Sequence, residues 1–155
     1  MPIGDETFAY RSRLPHLRKR DSNYSVTFCT RRRSVLSPSA RSIVLSCCVR
    51  EHTKRCWLHC CVVMPDHVHL VLIPYEDVSL TTLIGQIKGR SSFLVNQAAR
   101  RNGSLWQRDS FDRIARADED LERRIQYVCD NPVRKGLVKD CDKYPWLWRS
   151  WRPAG

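Results

Sequence analysis

Two histidines one residue apart, His67 and His69, stand in the apolar run His67-Val68-His69-Leu70-Val71-Leu72-Ile73 that ends at Pro74. Side chains alternate across a strand, so both imidazoles share one face while Val68 and Leu70 take the other. Neutral imidazole ligates divalent metals, and positions i and i+2 on one face are close enough to share an ion. Alone, such a pair is more often two half-buried histidines than two ligands, so the remaining ligands decide its meaning. Two residues are candidates. A tight turn near Pro65 brings His59 to the same face, diagonally across from His69, if the register is even. Asn131 follows Tyr127 by four residues, a spacing that stacks carboxamide and phenol on one flank of a helix. Ile125 and Val128 mark the buried stripe of that helix and leave Tyr127 beside the core. There it is free to react or, like most helical tyrosines, to pack its ring and wet its hydroxyl.

Charge narrows the class of partner. The 155 residues hold 27 Lys and Arg against 16 Asp and Glu, a net charge of +11, the footprint of a polyanion binder. The cations cluster at Arg18, Lys19 and Arg20 and again at Arg31, Arg32 and Arg33, which favours phosphate contacts over a merely soluble surface. No run approaches the roughly 18 apolar residues that span a bilayer, and the N-terminus lacks a signal-peptide core. The expectation is a cytoplasmic, nucleoid-associated protein with no membrane partner. Eight cysteines include two adjacent pairs and no C-x-x-C spacing, which fits buried thiols better than disulfides or a zinc knuckle.

The elements that position these residues follow from periodicity. Residues 1–22 read as a basic arm without apolar pattern, 23–146 as one folded domain, and 147–155 as a basic aromatic tail. Tyr24 to Phe28 alternates as a half-buried strand. Ser37-Pro38 supplies cap chemistry for a helix over 38–52. Cys56–Val63 and His67–Ile73 read as two strands joined at Met64-Pro65-Asp66. A 3.6-residue period predicts a helix over 79–100, the stretch 105–114 reads as a fourth strand or an irregular crossing, and a last helix spans 118–130, opened by Asp118-Glu119-Asp120 and limited by Pro132. Strand, helix, strand, strand, helix, strand is the α+β, ferredoxin-like split βαβ order: an antiparallel sheet with helices on one face, to which the last helix is an addition. The Trp-rich end, Trp146-Leu147-Trp148, either stacks on unpaired bases or covers an open sheet edge.

The stretch Val62-Val63-Met64-Pro65-Asp66-His67-Val68-His69-Leu70-Val71-Leu72 resembles the histidine-hydrophobe-histidine signature of single-tyrosine HUH transposases. Downstream, Ile87-Lys88-Gly89-Arg90, Leu105-Trp106-Gln107-Arg108, Asp118 to Leu121, Tyr127 to Asp130 and Asn131-Pro132-Val133-Arg134-Lys135-Gly136 resemble the REP-associated tyrosine transposases in order and spacing. The resemblance implies that His67, His69 and Asn131 hold Mg²⁺ or Mn²⁺, with Asn131 where insertion-sequence relatives often carry glutamine, and that Tyr127 is the nucleophile. It implies single-stranded DNA hairpins of palindromic repeats as substrate, cut and rejoined through a 5′-phosphotyrosine, by a monomer or a homodimer. Lys88, Arg90, Arg108, Arg134 and Lys135 join the N-terminal arginines as expected DNA contacts. Two departures touch substrate detail: Ser110-Phe111-Asp112 stands where the family shows adjacent tyrosines, and His59-Cys60-Cys61 replaces a plainer apolar run. A non-catalytic basic nucleic-acid-binding module with structural histidines explains the charge but not Tyr127 and Asn131 opposite an H-x-H strand.

A polyanion-binding surface of this charge predicts that single-stranded hairpin DNA binds tighter than linear duplex. Affinity should fall on the order of 10²–10³-fold between 50 and 200 mM salt if about six phosphates are neutralised. Fluorescence anisotropy measures both; equal affinity for blunt duplex, or a flat salt response, contradicts the reading.

Overall fold

The computed structural model describes residues 23–115 and 121–150; the expected arm 1–22, with Arg18, Lys19 and Arg20, and the acidic helix start at Asp118-Glu119-Asp120 lie outside them. Five antiparallel strands form one sheet in the order β4-β1-β3-β2-β5. They are β1 (Asn23–Cys29), β2 (Cys56–Val63), β3 (His67–Pro74), β4 (Phe111–Ala115) and β5 (Leu147–Arg149). Helix α1 (Pro38–Val49) links β1 to β2, and α2 (Leu80–Ala99) links β3 to β4, so the first four strands carry the ferredoxin-like connectivity.

Local chemistry sets each boundary. Ser37 accepts the Ala40 N–H at 3.1 Å ahead of Pro38, and Ser79 accepts from Thr82 at the head of α2. Arg100, in the left-handed region at φ 54°, ends α2. The β2–β3 hairpin turns through Met64-Pro65-Asp66, closed by Met64 N–H to the His67 carbonyl at 2.8 Å, and its register sets Val63 opposite Val68 and Val62 opposite His69. Strand four is shorter and later than the 105–114 expected, because Trp106 instead bridges Thr30 and buries its ring edge-on against Phe28.

Both faces of the sheet are covered. On one, Val26, Phe28, Leu58, Val68, Leu70 and Leu72 pack against Ala40 and Val44 of α1 and Leu83, Ile84 and Ile87 of α2. Each such side chain contributes roughly 1.5–3 kcal/mol by leaving water. On the other, Cys60, Val62 and Val71 pack under α3 (Leu121–Cys129) through Leu121, Ile125, Val128 and Cys129. Helices on one face is therefore right for α1 and α2, while the added helix lies on the opposite face, where the alternation of β3 also puts His67 and His69. A central strand buried on both sides has no polar face, which is why β3 reads as continuous apolar sequence interrupted only by its histidines.

Local causes also shape the C-terminal elements. The helix expected over 118–130 ends at Cys129, close to the expected end, but Asn131, expected on its flank, instead opens the single turn α4 (Asn131–Arg134) after Asp130. Pro132 has no N–H to give and its ring crowds the carbonyl four residues back, so the helix restarts instead of continuing. Residues 147–149 pair with β2 as β5 and cover its edge, the second of the two roles considered for the Trp-rich end. All eight cysteines are buried and free, and no helix among the described residues is long and apolar enough to cross a membrane.

His59 is not a ligand candidate in the fold. It occupies a bulge, since the register passes from Leu58↔Leu72 to Cys60↔Val71, and its Nε2 bonds Asn23 Oδ1 at 2.8 Å, four residues along β1 from Thr27. Burial, reinforced by His52, pushes its pKa down to about 3. Unfolded histidine titrates near 6.5, so the fold binds the proton less well than the open chain. The stability His59 contributes is full above about pH 6.5 and is lost as pH falls toward 3, each pH unit of that window costing at most about 1.4 kcal/mol. Urea melts at pH 7.0, 5.5 and 4.5 should show a shallower acid loss for His59→Gln than for the natural protein; parallel curves contradict this.

Candidate active site

The pairing of β1 with β3 builds the centre. Thr27 lies opposite His69 and its Oγ1 sits 2.8 Å from His69 Nδ1. The turn residue Asp66 holds His67 Nδ1 at 2.7 Å through Oδ1. A carboxylate only accepts, so His67 Nδ1 carries the proton and, in the neutral ring, Nε2 is left with a lone pair. With both Nδ1 atoms engaged, the two rings meet edge to face, and their Nε2 atoms lie 3.1 Å apart.

Asn131 closes the third side. Its carboxamide is buried, with Nδ2 3.4 Å from His67 Nε2 and Oδ1 3.4 Å from Arg134 Nη2, and the two amide atoms exchange on a flip of the group. The expected stacking of Tyr127 and Asn131 on one helix is thus replaced by a helix end: Tyr127 is in the last turn of α3, and the break at Asp130 turns Asn131 in toward the histidines. Tyr127 remains 57% exposed. Arg134 ties the two together, donating from Nη1 to the Tyr127 carbonyl at 2.7 Å with its guanidinium 3.9 Å from the centre of the tyrosine ring.

The donors suit a hard divalent ion. Cis ligands about 2.1 Å from an octahedral ion stand about 3.0 Å apart, and the two Nε2 atoms are at 3.1 Å. Among the described residues no group of three or more His, Cys, Asp or Glu side chains gathers as a metal site; the groups that converge here are two imidazoles and one amide. Burial, then His67 and the cations Arg134, Arg124 and Lys135, push His69 down to about 4, which leaves its ring neutral near pH 7 and available to ligate. Burial raises the Asp66 carboxyl, but hydrogen bonds from Arg33 and His67 outweigh it and hold Asp66 below the ordinary carboxylate range.

The basic residues divide by position. Arg134 and Lys135 lie with Arg124 around His69, and Arg31, Arg32 and Arg33 form an exposed turn against Asp66. Lys88 is spent inside the protein: Nζ donates to the carbonyls of Gln107 and Arg108 and to Ser110 Oγ. Arg108 lines the same groove, beside Gly89 and the exposed Phe93. Arg90 lines a crevice with Ser42, Ser46 and Arg50 between α1 and α2, on the sheet face away from the histidines. Thr27, Asp66 and Arg124 were not legible as site residues. Thr27 needed the β1–β3 register, whereas Asp66 adjoins His67 and Arg124 stands one helical turn before Tyr127.

Known proteins resemble the chain in sequence and in fold. A Haemophilus influenzae protein assigned as a REP-associated tyrosine transposase is 28% identical over 94 residues, 54% of this chain and 53% of that protein. The chain thus spans about half the length of the curated relative it matches. A solved REP-associated tyrosine transposase bound to a REP hairpin superposes with a TM-score of 0.66 at 22% identity, over 82% of this chain and 76% of that one, and so shares the fold. The model of the IS200-like transposases matches residues 18–131, most of the chain and all of the histidine, tyrosine and asparagine positions described above, and the chain belongs to that family.

Proposed function

We propose that this protein is a metal-dependent single-stranded DNA endonuclease and strand transferase that acts at palindromic repeat hairpins through a 5′-phosphotyrosine at Tyr127. The observation that carries the reading is the convergence of Asn131 on the facing Nε2 atoms of His67 and His69, with Tyr127 one turn upstream and Arg134 bridging tyrosine and asparagine. The kinship with REP-associated transposases, one of them solved on a REP hairpin, supports the substrate class.

Rejoining a phosphodiester without ATP requires a covalent intermediate that keeps the bond energy. Tyr127 Oη attacks the scissile phosphorus and loses its proton to solvent, an O–P bond forms, the P–O3′ bond breaks, and the 3′-oxygen leaves with the electron pair to be protonated as a free hydroxyl. A second 3′-hydroxyl reverses these steps and frees the phenol. Mg²⁺ or Mn²⁺ held by His67, His69 and Asn131 would polarise the phosphate and offset the charge that develops. Arg134 and Lys135, with Arg124, orient the phosphate beside the tyrosine, and the exposed ring leaves room for a strand.

The test uses a labelled hairpin oligonucleotide with Mn²⁺, denaturation and a gel. The natural protein should carry label covalently, and Tyr127→Phe, which removes only the hydroxyl, should lose the adduct by about 10³-fold or more while binding the hairpin as before. A covalent adduct on Tyr127→Phe, or release of a free 5′-phosphate with no adduct at any time, replaces this mechanism with a water-nucleophile nuclease.

A further inference from the structure

The arginine turn that follows β1 is built at a cost. Arg32 and Arg33 both adopt left-handed backbone, at φ 58° and 54°, a region side-chain-bearing residues avoid. Backbone bonds fasten the turn to the β2–β3 hairpin, by Thr30 N–H to the Asp66 carbonyl at 2.9 Å and Leu36 N–H to the Pro65 carbonyl at 2.7 Å, and to the segment after α2, by Arg31 N–H to the Leu105 carbonyl at 2.9 Å. What the turn delivers is Arg33, whose Nε donates to Asp66 Oδ2 at 3.0 Å while Nη1 reaches Cys29 Sγ at 3.3 Å. The other oxygen of the same carboxylate holds His67 Nδ1 at 2.7 Å. Arg33 is 54% exposed, so its ion pair adds little to the stability of the fold. Stability therefore does not account for the strained backbone.

We propose that Arg33 is a positioning residue: it fixes the Asp66 carboxylate, which in turn fixes the ring orientation and tautomer of His67 so that Nε2 faces His69 and Asn131. The inference rests on the metal-binding reading above and assigns Arg33 a task different from the phosphate contact expected of the triplet Arg31-Arg32-Arg33. Nη1 on Cys29 and Nε on Asp66 together fix the plane of the guanidinium, so the bond to Oδ2 comes from a set direction and holds that oxygen while Oδ1 holds His67. Arg31 and Arg32 remain exposed on the same turn for phosphate.

Mn²⁺ affinity of the full DNA-free chain, read from the electron paramagnetic resonance of unbound Mn²⁺, tests the chain of bonds without using cleavage. Asp66→Asn should weaken binding about tenfold or more. Arg33→Gln should weaken it several-fold, Arg33→Lys should recover part of the loss, and Arg33→Gln should add nothing in an Asp66→Asn background. The salt slope of hairpin binding should be unchanged by Arg33→Gln but fall by about one for Arg32→Gln. Natural Mn²⁺ affinity in Arg33→Gln, with a lowered salt slope, makes Arg33 a phosphate contact and overturns the proposal. Equal Mn²⁺ binding by the natural chain and His67→Ala instead overturns the metal reading itself, and the positioning role with it. Thermal melting checks that each variant folds; if Arg33→Gln does not, Arg33→Lys and Asp66→Asn decide by the same comparison.

Discussion

Two imidazoles, His67 buried and His69 half-buried, whose Nε2 atoms are 3.1 Å apart impose a constraint that the rest of the site answers. Each ring is fixed from behind, His67 by Asp66 and His69 by Thr27, so neither can rotate its lone pair away without breaking a bond to the neighbouring strand or turn. His69 does not relieve the crowding by taking a proton near neutral pH, because burial and the surrounding cations hold its pKa near 4. A shared proton or a cation between the nitrogens is what this geometry accommodates, and the Asn131 amide, whose Nδ2 now faces His67 Nε2, would present its oxygen to a hard ion there on a flip of the group.

Helix α3 and the break after it serve the same centre. The apolar stripe Leu121, Ile125, Val128 covers the sheet face that carries the histidines, so the burial that seats the helix also lies on the side where desolvation lowers the His69 pKa. Pro132 stops the helix one turn beyond Tyr127, which lets Asn131 turn inward while the tyrosine stays at the surface. A continuous helix would carry both on one flank, and both would then be buried or both exposed. The arrangement separates a buried amide from an exposed phenol, with Arg134, Lys135 and Arg124 close enough to His69 to lower its pKa.

Much of this was legible in the sequence because its signals are local. Alternation around Tyr24–Phe28, the cap at Ser37 and the turn at Pro65 mark elements that the structure contains nearly where expected. The order of those elements implies the ferredoxin-like topology. What escaped depends on contacts distant in sequence. No pattern within β1 says that Thr27 faces His69, and the bulge at His59 depends on how β2 meets β3. Nor does composition separate Arg33, committed to Asp66, from Arg31 and Arg32 beside it, or Lys88, tied to the 107–110 loop, from a lysine free for phosphate. A run of cations is a statement about net charge, and the fold decides which of them still face the solvent.

Anomalous scattering from crystals soaked in Mn²⁺ tests the histidine–asparagine centre most directly. One dominant peak is expected about 2 Å from His67 Nε2, His69 Nε2 and Asn131 Oδ1, with the amide turned so that oxygen faces the ion. Saturating Mn²⁺ that leaves the two imidazoles in direct hydrogen-bonded contact, or a peak seated elsewhere on the chain, would contradict that placement.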